Sequence, residues 1–575
     1  MAPNIPISID THKLKYQQNG EGFEGCMERI SRTLADDADH HKKFFNILMD
    51  QRFLPAGRVQ SAVGGTRHVT AVNCFVSRNI EDSYEGIMQS AVEAGRTMRL
   101  GGGIGFNFGT IRPRGDIIKS LDSQASGPIS FMDIHDAVCR TICSAGHRRG
   151  AMMGTLPVSH PDILEFIRAK RNQHKLTGFN LSVLLSDKFM RAVENDGLFN
   201  LEFSGRIYNT IRAGGLYDEI MESTWDWAEP GAIFLDRSID MNTLYYDGAS
   251  TPTCVNPCSE QILPPFGACL LGSFNLVKYV KLGSDWYFDI GTFTDDIFVV
   301  VNAMDNVIEN TIYPLPEQEI RHKSDRRMGL GITGLANALE RLGMQYGMPQ
   351  MVRFTEGLVQ HMANIAYIAS SYRARDKGSF PLFDKEKYLA GNFVKTLSPG
   401  TLRSVENHGM RNSHLISVAP TGTISLCADN ISSGIEPPFS LEFERTLITF
   451  DGPQKEKVSD YAWREWGIKG RTALECSMDE HLNVLLAVQK WTDSAVSKTV
   501  NVGDHVTFDQ FKNLYMKAWK GGAKGLSTYR NGGKRAGILN VLPTKEERAS
   551  TIFHNNGFDN PLACTIDEQG RKTCE

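Results

Sequence analysis

Residues 255–276 read VNPCSEQILPPFGACLLGSFNL, a proline-stiffened turn followed by an apolar run of strand character. Within the turn, Asn256 stands two residues before Cys258 and Glu260 two residues after it. In extended backbone the side chains at i and i+2 point the same way, so an amide, a thiol and a carboxylate can converge on one ligand. The same heptapeptide is equally compatible with a plain loop that buries a cysteine and uses its glutamate as a cap. Cys269 lies in the apolar run, and far upstream Cys74 sits in the similar run Ala71–Val76. Taken singly, a cysteine in such a run is more often a small core residue than a reactive thiol. Cys254 lies four residues before Cys258, but no second pair of ligands at zinc-like spacing accompanies it, so no metal site is expected.

Outward from this stretch, the chain from about 70 to 540 alternates short β-branched runs (HVTAVNCFVS, FNLSVLL, GAIFL, HLISVAP) with helical ones such as YEGIMQSAVEAGRTMRL and TGLANALERLGM. The alternation predicts an α/β fold with much parallel sheet. Glycine and proline gather where runs end (RLGGGIGFNFG, VAPTGTIS, SGIEPP), which places unusual backbone in loops able to carry function. Residues 1–69 contain a stretch with apolar residues at helical spacing and read as a helical N-terminal segment ahead of a catalytic domain over 70–540. Residues 541–575 are polar and weakly periodic and end in Cys564 and Cys574, the pattern of a flexible tail.

A length of 575 residues suits several modules or one large α/β barrel, and 41% hydrophobic with 22% charged residues is the balance of a soluble globular protein. A net charge of -4, from 62 basic and 66 acidic residues, gives no basic face for nucleic acid and no polybasic membrane anchor. No apolar run approaches the roughly 18 residues of a membrane span, and no secretory signal opens the chain, so a cytoplasmic protein is expected. In that setting eleven cysteines are not a disulfide framework, and each is a buried small hydrophobe or a chemical participant.

NPCSEQ followed at this distance by ACLLGSFNL resembles the NPC-x-E loop and C-N-L-G-S-I-N-L strand of ribonucleotide reductases. Further segments agree in order: NCFVS with EDSYEGI, GGGIGFNFGTIRPRGD, SGPISFMDIHDAV, AGHRRGAMMGTLPVSHPDILEFI, EPGAIFLDR, RRMGLGITGLAN, APTGTIS, SSGIEPPFS and KGLSTYRNGGKRAGIL. The resemblance implies a ten-stranded α/β barrel of two five-stranded halves, with Cys258 at the tip of a finger loop threaded through its centre. It implies reduction of ribonucleoside di- or triphosphates to 2'-deoxyribonucleotides. Cys258 would carry a thiyl radical that abstracts the 3'-hydrogen, Glu260 would be the general base on the 3'-hydroxyl, and Asn256 would bond the substrate hydroxyls. Cys74 and Cys269 resemble the pair that supplies two electrons and a proton and ends as a disulfide, and Cys564 and Cys574 the tail cysteines that exchange with it. A thioredoxin- or glutaredoxin-type reductant is then a partner. Ala419, Pro420, Thr421, Gly422, Thr423, Ile424 and Ser425 look like the substrate-phosphate loop, with Asn73 beside the substrate.

The resemblance also implies a homodimer with a second nucleotide site at its interface, where deoxynucleotides or ATP choose the base to be reduced. Asp82, Arg112 and the loop residues Ser144, Gly146, His147 and Arg148 match its segments, although His147 departs from the usual G-G-x-R-x-G. About twenty residues precede the first helical segment where the family's ATP cone would need about a hundred, so no cone and no dATP shut-off through one are expected. The adjacent tyrosines that relay a radical from a separate ferritin-like, dimetal subunit are absent from Lys524–Arg530, where Tyr529 is a possible single relay. The segment STYRNGGKRAGIL looks more like the adenosylcobalamin-dependent class. Two rival readings are a dithiol oxidoreductase without radical chemistry and an inactive nucleotide-binding regulator; no C-x-x-C supports the first, and the second would be expected to lose one of the key residues.

Overall fold

Five runs of the N-terminal half, apolar and almost wholly buried, form parallel strands in the order Cys74–Val76, Gly103–Asn107, Met152–Pro157, Phe179–Leu185 and Gly231–Phe234. Parallel strands need long crossovers, and the chain supplies helices for them. Tyr84–Arg99 is one; Ser83 caps it by accepting from the Gly86 N–H, and its buried face carries Ile87, Ala91, Ala94 and Met98 at helical spacing. The structure, a computed structural model, describes residues 3–142, 151–172, 174–444, 456–530 and 532–534, and the backbone of 445–449, 452–455, 565–566 and 572–573.

Both edges of the parallel set are closed by antiparallel neighbours. Ala268–Cys269 pairs with Cys74–Val76, with Cys269 directly opposite Cys74, and Gly525–Arg530 pairs with Gly231–Phe234. Thr499–Val502 then lies parallel to Gly525–Arg530, completing an eight-stranded sheet. In the C-terminal half, Leu271–Asn275 is parallel to Gly329–Thr333, and single parallel bridges join Leu330 to Ile416 and Val418 to Val496. The fold is therefore mixed α/β with a large, mainly parallel sheet.

Alternation along each strand separates two environments. Outward residues such as Phe106, Leu181, Leu330 and Ile332 join one hydrophobic cluster with the surrounding helices. The N-terminal helices Phe23–Leu34 and Ala38–Met49 belong to that same cluster through Met27, Ile30, Phe44 and Ile47. Inward positions include small or polar residues, among them Gly103, Gly105, Thr155, Asn180, Ser182 and Gly231, together with Met153, Leu184 and Ile233, which pack against Val255 and Ile262 of the loop around Cys258. Among the described residues no helix is long and apolar enough to cross a membrane.

Candidate active site

The chain around Cys258 is a narrow hairpin. Cys254–Val255 pairs antiparallel with Ile262–Leu263, and the turn closes by Asn256 N–H to Gln261 O and Ser259 N–H to Asn256 O, each 3.0 Å. Pro257 fixes one φ of the turn, and Ser259 takes the left-handed region with φ 66°. The Asn256 side chain organises the tip from within. Its Oδ1 accepts from Gln261 N at 3.0 Å, and its Nδ2 donates to Glu260 Oε1 at 2.8 Å. Asn256 and Glu260 are buried while Cys258, between them, is only partly so. The three side chains expected to act together therefore share one turn.

Both sides of the fold grip the hairpin. Asn180 Nδ2 donates to Pro257 O and Asn107 Nδ2 to Thr253 O, both at 3.1 Å. Opposite them, Ala495 N and Ser417 Oγ each donate to Glu260 O at 2.9 Å. Glycines make the close approach possible. A Cβ on Gly105 would lie 1.9 Å from Val255 O, and one on Gly103 would lie 3.1 Å from Pro257 Cγ and 3.2 Å from Cys74 Sγ. A Cβ on Gly329 would lie 2.6 Å from Gln261 Nε2. The glycine-rich segments are thus the walls against which the finger lies.

Burial sets the acid–base character of the site. Desolvation pushes the Glu260 carboxyl up to about 7, against the opposing hydrogen bonds from backbone and Asn256, and its Oε2 is buried without a partner. A carboxyl so placed exchanges protons near neutral pH. Cys269 is buried and its thiol is held well above the ordinary range, by desolvation first and then by Cys74, Glu260 and Cys258 nearby, with Arg327 pulling the other way. Cys74 and Cys269 occupy directly opposed antiparallel positions. Such positions hold Cα atoms about 4.5–5.5 Å apart, inside the range a disulfide needs. Cys254 joins the same apolar cluster as this pair, bonds Thr155 Oγ1 at 3.4 Å and is pushed up to about 12 by burial.

The loop Ala419–Ser425 adjoins the dithiol, because Ala419 belongs to the cluster containing Cys74 and Cys269. Thr421, with φ 59°, turns the chain into the helix Gly422–Cys427, whose first turn has no side-chain cap. Two hydroxyls suggested by the sequence as ligands are used inside the protein. Thr421 Oγ1 accepts from Gly434 N at 2.7 Å and bonds Thr333 Oγ1 at 2.9 Å, and Ser425 Oγ bonds Ser433 Oγ at 2.7 Å. Lys15, from the N-terminal helix Pro6–Lys15, donates to Thr423 Oγ1 at 3.4 Å. Asn73 keeps a buried Oδ1 without a partner beside Cys74.

Tyr529 is half-buried opposite Asn501 in the ladder, and its strand face carries Gly525 and Ser527, not a second tyrosine. Arg112 clamps Asp82, with Nε to Oδ2 at 2.8 Å and its backbone N–H to Oδ1 at 3.1 Å. Ser144, Gly146, His147, Arg148, Cys564 and Cys574 lie outside the described residues. Sequence reading did not single out Asn180, Ser417, Arg327 or Lys15. For Asn180 the signal is a polar residue inside the apolar run FNLSVLL; for the others nothing local marks them.

Comparison with known proteins gives the same assignment. The family described as "Ribonucleotide reductase, barrel domain" matches residues 72–465 and 468–529. A vitamin B12-dependent ribonucleoside-diphosphate reductase of Mycobacterium tuberculosis is 33% identical over 560 residues, covering 90% of this chain and 76% of that protein. One from Thermoplasma acidophilum is 31% identical over 550 residues, 90% of this chain and 68% of its own length. A vitamin B12-dependent ribonucleotide reductase of Streptomyces clavuligerus is 25% identical, with 92% and 65% covered. With the family profile matching most of its length and relatives more than 30% identical over 90% of it, the chain belongs to the ribonucleotide reductases.

Proposed function

We propose that the protein reduces ribonucleoside diphosphates to 2'-deoxyribonucleotides with a thiyl radical on Cys258. The observation that carries this reading is the turn itself, where Cys258 stands between a bonded amide and a buried carboxyl with one unpartnered oxygen. Cys258 Sγ takes the 3'-hydrogen, Glu260 accepts the 3'-hydroxyl proton, and the remaining Asn256 N–H holds the substrate hydroxyls. The 2'-hydroxyl leaves as water on a proton from the Cys74 and Cys269 dithiol. That dithiol also supplies two electrons and ends as a disulfide, after which Cys258 returns the hydrogen to C3'. The uncapped first turn of Gly422–Cys427, with Thr423 and Lys15 beside it, holds the phosphates.

The strand pairings support a closed ten-stranded barrel, in which the bridges at 330/416 and 418/496 join the C-terminal strands between the two antiparallel seams. Adenosylcobalamin is the radical source that fits. Ser527 Oγ would lie 3.8 Å from a Cβ on Gly231, hence on the face shared with Asn180 and Ser182, yet Ser527 is exposed. Gly525, Ser527 and Gly231 share that face beside the finger, and they would hold the cofactor. When bound, adenosylcobalamin supplies cobalt–carbon bond homolysis as the oxidant for a nearby thiol. A homodimer, a nucleotide effector near Asp82 and Arg112, and a tail relay through Cys564 and Cys574 to a thioredoxin-type protein complete the reading.

The test is anaerobic dCDP formation from CDP with dithiothreitol and an effector nucleotide, with and without adenosylcobalamin. Product that requires the cofactor is expected. Absence of product from folded, nucleotide-binding protein would overturn the cobalamin assignment and point to a separate metal-containing radical subunit.

A further inference from the structure

Arg327 is almost wholly buried, yet its Nε and Nη2 have no hydrogen-bond partner. Its nearest carboxylate, Asp325, lies 3.9 Å away and is equally buried. Leaving guanidinium N–H groups unsatisfied in a dry interior is costly, so this arrangement calls for a charge that is present only part of the time. The ladder shows which group that is. Leu271 pairs with Gly329, and two residues back along the two strands stand Cys269 and Arg327. Met328 and Leu330 point outward into the core with the helices, so Arg327 points inward with Gly329. The charges acting on Arg327 include Asp325 and Asp493, which hold it charged, Arg321, which opposes, and Cys269 itself. Those acting on Cys269 are Cys74 on the opposed strand, Glu260 and Cys258 on the finger, and Arg327. Arg327 is the cation of that set.

We propose that Arg327 is a positioning residue for recycling of the dithiol: its guanidinium receives the sulfur of Cys269 as the leaving thiolate when an external thiolate attacks the Cys74–Cys269 disulfide at Cys74. The inference rests on the reading of this pair as the redox dithiol. In the step, the incoming thiolate forms a bond to Cys74 Sγ, the Cys74–Cys269 bond breaks, and its electron pair goes to Cys269. A second thiolate of the reductant then attacks the reductant sulfur of the mixed disulfide, releasing Cys74 as a thiolate and leaving the reductant oxidised to a disulfide, and both protein sulfurs are protonated. The attacked sulfur is the more accessible one, since Cys74 is 4% exposed and Cys269 is 0%. A stabilised leaving thiolate speeds exchange, which gives the direction of the effect.

The full chain, oxidised with diamide and checked by peptide mass spectrometry for the Cys74–Cys269 disulfide, is reduced with 2-mercaptoethanol and quenched in acid. In the wild type the mixed disulfide is expected on Cys74; an adduct on Cys269 would overturn the proposal, whether or not any variant folds. Arg327→Gln is expected to slow the reduction by about tenfold while Arg327→Lys restores most of it. Reduction of folded Arg327→Gln at the wild-type rate would also overturn it. Should the wild type form no Cys74–Cys269 disulfide at all, the dithiol reading itself falls, and this inference with it.

Discussion

At the scale of single residues, Glu260 carries the most consequence. Its carboxyl is raised to about 7 by burial, so the folded state binds its proton more tightly than the unfolded chain does. The stability it contributes is present below the ordinary glutamate value and is lost as pH rises through about 7. Glu260→Gln keeps an acceptor for Asn256 Nδ2 and removes the ionisation. We expect it to be more stable than wild type at pH 8, on the order of 3 kcal/mol, and to lose turnover; thermal melts at pH 5 and pH 8 check the sign. Wild-type turnover should rise with pH through the same region, because the base must be ionised to act. That Asn256, Cys258 and Glu260 stand together was legible in the sequence because all three lie within one turn. Asn180 and Arg327 were not, since their meaning depends on which strand faces which, and a linear run of residues does not carry that.

At the scale of elements, the finger hairpin exists because the opposing strands are stripped of side chains where it passes. Gly105→Ala would place a methyl 1.9 Å from Val255 O, against backbone that has no rotamer to yield. We expect a loss of about 1–3 kcal/mol of stability, seen in denaturant unfolding, and a fall in turnover on the order of 100-fold from displaced Cys258. An active, stable Gly105→Ala protein would mean that the finger does not pass there. The glycines were visible in the sequence as loop or strand-end signals, but what they make room for was not. The loop Ala419–Ser425 shows the converse limit. Its turn was legible, whereas the engagement of Thr421 by Gly434 and of Ser425 by Ser433 depends on a segment that returns from further along the chain.

At the scale of the whole molecule, the alternation of apolar runs and helical runs sufficed for an α/β fold with a large parallel sheet. The antiparallel seams were beyond it: Ala268–Cys269 is a two-residue strand, and its partner lies almost two hundred residues upstream. The N-terminal helices are bound to the rest by more than sequence order. Ile30 and Phe44 share the main hydrophobic cluster, Ser8 Oγ donates to Leu426 O at 2.5 Å, and Arg373 pairs with Asp36. We expect Ile30→Ala to cost about 2–4 kcal/mol and calorimetry of the intact chain to show these helices unfolding together with the main sheet. A separate early transition abolished by removing residues 1–50 would contradict this.

The most direct test of the central claim is to compare wild type with Cys258→Ser for dCDP formation from CDP under anaerobic conditions, with nucleotide binding measured alongside. Binding retained in both proteins, with product from the wild type alone, is the result expected if Cys258 carries the radical. Product from Cys258→Ser at a comparable rate would contradict it.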